Sequence, residues 1–274
     1  MAISNFLSAI WSENLLTKLD QQYVAVANCN RDYDGEIKGQ GSTVKICGVG
    51  NITVKNYTKN SDIDTETLSD TYVNLNIDQA KYFNFQIDDI DRAQSTPKLM
   101  DAAIKLAANR LSEYADRHVY SLYNKAASKI SVSEPTADSI LDAVISARQK
   151  LTEKGVTNFD DVVLEVTPYV ASLLFKAKVD FVSNNDDLVE TGCLGRLFGC
   201  KVFVTKNITE IPDEGCTFYK CFMRTKRAIA FAEQVSEIVA YRPEKRFSDA
   251  VKGLHLYGTQ VIYPDELVVI DVCV

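Results

Sequence analysis

The chain has 274 residues, 46% of them apolar and 24% charged, with a formal net charge of −7 and a pI near 5.0. That length buries a substantial core in one or two domains, and the mix is ordinary for a globular protein, so disorder, collagen and low complexity are excluded. The acidic balance argues against a surface built to neutralise phosphates, and the longest apolar stretches, such as Leu267 to Ile270, fall far short of the roughly 18 residues a membrane helix needs.

Residues 4 to 20 read as an amphipathic arm, with Phe6, Leu7, Ile10, Trp11, Leu15 and Leu19 on one side. The leading residues lack a basic region and carry Glu13, so a cytosolic rather than secretory chain is expected. Residues 41 to 55 alternate Val44, Ile46, Ile52 and Val54 against polar neighbours, which predicts a strand with a break at Gly48 and Gly50. A polar stretch covers 56 to 70, and alternation then resumes on Val73, Leu75, Ile77, Phe83, Phe85 and Ile87. The pattern predicts one long hairpin. Two strands alone are marginal in water, so something else must cover them.

Thr96 and Pro97 predict a helix start. Apolar residues then recur at helical spacing through Met100, Ile104, Ala107, Leu111, Ala115, Val119, Leu122 and Ala126, with no Gly or Pro until Pro135. A helix running to about Ser128 would be roughly 50 Å long. It is either a long bundle helix or a strut completed by neighbouring subunits.

Pro135 and Thr136 open a second helix with Ile140, Leu141, Val144, Ala147 and Leu151 on its apolar stripe, ending at Gly155. Val162 to Val166 reads as a buried strand, and Thr167 and Pro168 open a short helix through Leu173, Leu174 and Phe175. A polar connection from Ser183 to Thr191 precedes alternating segments at Leu197 to Thr205 and Thr217 to Phe222. The last part, Val235 to Val272, is expected to be β-rich, with Gly253 and Gly258 as punctuation. The fold class is α+β.

Chemistry is sparse. His118 lies on the long helix and His255 in a strand pattern, and both read as structural; no catalytic, cofactor-binding or metal-ligating set emerges, and no HExxH, GxSxG or Walker-type loop occurs. The run Gly192, Gly195, Gly199 precedes a strand and lacks the Lys-Ser/Thr pair of a phosphate loop, so it reads as a turn. Asp88, Asp89 and Asp91 read as a solvated strand end, since neighbouring strand residues face opposite ways. Seven cysteines without a CxxC pair are expected to remain thiols, and the sequons at Asn51, Asn56 and Asn207 to be coincidental. Residues 60 to 91 are acidic, whereas 216 to 252 collect Lys220, Arg224, Lys226, Arg227, Arg242, Lys245, Arg246 and Lys252. These are either two patches that steer identical copies together or two solvated faces.

The run from Ala228 to Ile270 (AIAFAEQVSEIVAYRPEKRFSDAVKGLHLYGTQVIYPDELVVI) resembles the closing segment of tailed-phage major capsid proteins of the Hong Kong 97 fold. So does Thr191 to Ile208 (TGCLGRLFGCKVFVTKNI), a Gly-Arg-Leu-Phe-Gly turn feeding a strand. Phe6 to Trp11 (FLSAIW), Asn30 to Lys38 (NRDYDGEIK) and Gly41 to Ile46 are similar to the arm and the lead into the extended loop; Ser8 and Ala9 stand where the family often has Pro-Glu. The resemblance implies an N-terminal arm at 1–35, an extended loop at 36–80, a peripheral domain with a spine helix at 81–131, an axial domain at 132–225, and peripheral strands at 226–274.

It further implies a non-enzymatic subunit that assembles into hexamers and pentamers of an icosahedral head shell in the host cytoplasm. A separate scaffolding protein or none, portal and head-completion proteins, and weakly contacted DNA would be its partners, with no membrane. The surfaces expected to meet other copies carry Phe6 and Trp11 on the arm, and Lys45, Lys55, Lys59, Asp62, Asp64 and Glu66 in the loop. Arg242, Lys245 and Arg246 carry the opposite charge. Some family members cross-link loop lysines to a neighbour's asparagine, but nothing marks a lysine here as reactive. A cargo compartment of the encapsulin kind would use the same fold, and a soluble α/β enzyme or binding module is the other alternative.

Overall fold

The computed structural model describes residues 15, 17–19, 22–34, 41–49, 56, 59, 70–88, 99–177, 193–213, 215–235, 238–244 and 248–274. Strand β1 (Thr43–Val49) pairs antiparallel with β2 (Asp70–Asn76), Thr43 opposite Asn76 and Val49 opposite Asp70. This is the root of the hairpin; residues 50 to 55 lie outside the described set. The alternating run does not continue as one strand. After Ile77 and Asp78 the chain starts β3 (Gln79–Asp88), which pairs with a body strand instead. The two-residue break preserves the odd-position phase, so alternation alone cannot see it.

Helix α1 (Leu99–Tyr120) has 22 residues and spans about 33 Å, not 50. A 3₁₀ turn (Ser121–Lys125) and strand β4 (Ser128–Val132) occupy the rest of the expected length. Leu122 and Ala126 keep helical spacing across this change, which is why the periodicity overran. Ile104, Ala108, Leu111, Ala115 and Val119 form the buried stripe of α1. Thr96 and Pro97 lie outside the described residues.

Helix α2 (Ala137–Glu153) begins where its capping chemistry directs. The Thr136 hydroxyl accepts the Ser139 N–H at 3.2 Å and the Ser139 hydroxyl accepts the Thr136 N–H at 2.9 Å. Gly155, at φ +92, ends it, letting the Val156 N–H reach back to the Leu151 carbonyl. Strand β5 (Val162–Val166) is buried throughout, and Thr167 caps α3 (Pro168–Lys176) with Pro168 at its start. Strands β6 (Cys193–Leu197) and β7 (Cys200–Val204) meet in a two-residue turn at Phe198 and Gly199, both at positive φ. Of the glycine run expected to be a turn, Gly199 is in one, Gly195 lies inside β6 at a shift of register, and Gly192 is outside the described residues.

The remaining strands are β8 (Glu210–Asp213), β9 (Cys216–Thr225), β10 (Ile229–Val235), β11 (Val239–Tyr241), β12 (Ser248–Val261) and β13 (Leu267–Cys273). They complete two body sheets. One has the order β4-β13-β9-β5-β7-β6, with β8 on β9, and carries α2 on one face. The other sets β3 on one edge of β12 and β10 and β11 on the other. Residues 226 to 274 thus divide between the sheets, because β13 inserts between β4 and β9. No helix among the described residues is long and apolar enough to cross a membrane.

Gly253 and Gly258 do not punctuate the C-terminal region; both lie inside β12. They are sites of close approach. The Phe83 ring packs over Gly253, and the Asn76 carbonyl of the hairpin root lies where a Gly258 side chain would stand. Gly258→Ala is expected to destabilise the subunit by about 1–3 kcal/mol, because the obstacle is backbone that cannot rotate away. Urea unfolding of the variant measures it.

Cys216 and Cys273, with Cα atoms 5.7 Å apart, are joined in a disulfide, so the expectation of seven thiols fails for this pair. Compartment arguments do not reveal which cysteines the pairing of β9 with β13 brings together. Among the described residues Cys29, Cys200 and Cys221 are buried thiols and Cys47 is exposed. The sequon residue Asn207 is buried, leaving no room for a glycan.

Candidate assembly surfaces

The arm reaches the body through its root, and buried polar groups fix that root. Asp116, fully buried on α1, accepts the N–H groups of Val24, Ala25 and Val26 at 3.2, 3.0 and 3.1 Å, and Asn207 donates to it at 3.4 Å. Burial pushes its carboxyl up to about 6 against these donors. Arg224, on β9, donates through Nη1 to the Asn28 carbonyl at 2.6 Å and through Nη2 to the Ala25 carbonyl at 3.0 Å. It also makes a two-point ion pair with Glu165 of β5, at 3.1 and 2.9 Å, with both side chains fully buried. Burial works against both charges: it pushes the Glu165 carboxyl up to about 7 although Arg224 pulls it down, and Glu165 holds the Arg224 guanidinium above its usual range against burial.

A third cluster ties the same root to the smaller sheet. Glu233 of β10 accepts from the Tyr23 hydroxyl, from Arg31 Nη2 at 2.5 Å and from His255 Nε2 at 2.8 Å. Burial opposes its charge, yet His255, Tyr23 and Arg31 together hold the carboxyl below the usual range. The Asn30 N–H donates to the Ile229 carbonyl, and the Phe231 N–H donates to the Asn30 carbonyl, extending the attachment. His255 is structural, as the sequence indicated. His118, half-buried, stacks edge-on against Tyr257, and burial lowers its basicity.

The hairpin root is seated on the chain's own body. Val44, Ile46, Leu75 and Ile77 bury against Ala230, Ala232 and Leu256 in a cluster separate from the main core. The cover expected from elsewhere is thus intramolecular at this end. Beyond it, a groove of about 620 Å³ lies between β3 and α1, lined by Phe83, Phe85, Leu106, Leu111 and Tyr114 among others. Tyr82 is 79% exposed, Leu106 60% and Tyr114 52%.

Of the residues expected at subunit contacts, Lys45 is exposed on β1 with its ammonium 5.6 Å above the Tyr72 ring, and Lys59 and Arg242 are exposed. Phe6, Trp11, Lys55, Asp62, Asp64, Glu66, Lys245 and Arg246 lie outside the described residues. The expected cationic patch is smaller than its sequence. Arg224 is buried, Lys220 pairs with Asp271 at 3.0 Å, and Arg227 pairs with Glu266. Sequence reasoning missed Asp116, Glu165 and Glu233. The available signal was a carboxylate inside an otherwise apolar run, as in VVLEV.

No protein-family profile matches the sequence, and no curated protein sequence matches it. Solved structures do. The chain is similar to a structure from Mycobacterium phage Che8, with 28% identity over 91% of each chain and a TM-score of 0.70. It is similar to the capsid of Ralstonia phage GP4, with 11% identity, 92% of this chain and 89% of that one covered, and a TM-score of 0.66. A virus-like particle from Pyrococcus furiosus shares 13% identity over 94% of this chain and 96% of its own, at a TM-score of 0.53.

The mixed helix-and-sheet fold matches that of these phage capsid structures. The chain thus shares its fold with phage capsid structures, and that likeness supports a shell-forming capsid function.

Proposed function

We propose that the chain builds the icosahedral head shell of a tailed phage, assembling as hexamers and pentamers in the host cytoplasm around the genome, with no catalytic role. The observation that carries this is the 28% identity sustained over 91% of both chains. A separate scaffold, a portal and head-completion proteins complete the assembly. In this reading the smaller sheet with α1 is the peripheral domain, and the seven-stranded sheet with α2 and α3 is the axial domain. The exposed face of β3 and α1 is covered by a neighbour, and Lys45, Lys59 and Arg242 lie at copy-to-copy contacts. Many modest contacts, linked through one shell, hold it closed although each pair alone dissociates.

The similarity to an archaeal virus-like particle supports a second reading, a compartment that encloses protein cargo. Expressed protein imaged in negative stain, with light scattering, is expected to show capsomers or closed particles when a scaffold is supplied. A monodisperse monomer at high concentration would overturn both readings. Packaged DNA or scaffold dependence selects the phage head, and a co-purifying enzyme selects the compartment.

A further inference from the structure

We infer that the Cys216–Cys273 bond is a staple closed after assembly, once the shell has left the host cell, an inference that rests on the shell reading above. The fold brings the two residues together without covalent help. β9 and β13 pair antiparallel, and their ends are held by the Thr217 N–H donating to the Val274 carbonyl and the Val274 N–H donating to the Thr217 carbonyl, both at 2.9 Å. The Cα separation of 5.7 Å lies inside the range of roughly 4.4–6.8 Å that a disulfide spans, so no backbone movement is needed to close it.

The site is selective. Cys216 and Cys273 are half-buried, within reach of a small oxidant and of each other, whereas Cys29, Cys200 and Cys221 are buried and Cys47, though exposed on β1, is an unbridged thiol. Burial pushes those three thiols up to about 11, 11 and 12, which keeps them protonated and unreactive. A host cytoplasm keeps thiols reduced, and the medium outside supplies dissolved dioxygen. In the step itself the two thiols lose two protons and two electrons, the sulfur–sulfur bond forms, and dioxygen takes both pairs to become hydrogen peroxide. The bond closes a stretch with a sequence separation of 57 and ties down the end of β13, the strand that joins β4 to the rest of its sheet.

The test follows the thiols peptide by peptide. Cells making the wild-type chain with its scaffold are lysed into N-ethylmaleimide, and a second portion is lysed without it and left in air. After trypsin, peptides 207–220 and 253–274 are expected as separate alkylated species in the first sample and as one joined species in the second. Separate peptides after air exposure overturn the pairing, and joined peptides dominant in the quenched cells overturn the timing. Shells of the Cys216→Ser/Cys273→Ser variant are expected to melt about 5 °C lower than oxidised wild type and to ignore added reductant. An unchanged midpoint overturns the stapling role. Negative stain of the same samples reports particle formation separately, so missing particles with a joined peptide count against the shell reading and not against the bond.

Discussion

Replacing Arg224 with Ala is expected to destabilise the subunit by about 3–5 kcal/mol, enough to leave much of it unfolded at growth temperature. The change leaves the Glu165 carboxylate fully buried without its partner and strips hydrogen bonds from the Asn28 and Ala25 carbonyls. The loss comes from stranding the remaining charge, so Arg224→Met combined with Glu165→Leu should recover most of the stability. By contrast, Arg110→Ala, which removes the exposed pair with Glu113 on α1, should cost under about 1 kcal/mol. Urea unfolding of the unassembled subunit measures all three. A single Arg224 variant within 1 kcal/mol of wild type would show that the pair does not hold the arm root.

Stability is also expected to fall as pH rises between about 4 and 6, through Asp116. Its folded carboxyl sits at about 6 against an ordinary 3.8, chiefly because burial penalises the charge. The folded state therefore binds a proton that the unfolded chain has already released, and its contribution is complete below 3.8 and lost as pH climbs through 6. For a carboxyl displaced this far, the loss is about 3 kcal/mol. Asp116→Asn, which cannot titrate, should remove the Asp116 share of that slope and leave the share of Glu165, whose carboxyl burial raises to about 7. Urea midpoints at pH 4, 5, 6 and 7 for both proteins test it, and parallel pH profiles would count against the assignment.

Most helices and strands were legible because their signals are local. Thr136 with Ser139, Thr167 with Pro168, and the Phe198–Gly199 turn each state a boundary within a few residues. The misjudged places are those where one periodicity runs through two elements. Odd-position alternation crosses from β2 into β3, and helical spacing persists from α1 into the 3₁₀ turn. Contacts distant in sequence were the least legible. Glu165 and Arg224 are 59 residues apart and Tyr23 and Glu233 are 210 apart, so only the folded chain shows that these charges are bolts and not patches. The glycines of β12 carried the same ambiguity, since a close backbone crossing and a turn both call for glycine.

The position of β13 has a consequence for how the subunit is made. It is an interior strand of the larger sheet, hydrogen-bonded on one side to β4 and on the other to β9. A polypeptide still on the ribosome, or one truncated before Leu267, exposes two raw strand edges and cannot present a finished surface to its companions. Loss of β13 is therefore expected to leave the larger sheet divided and the fragment prone to aggregation.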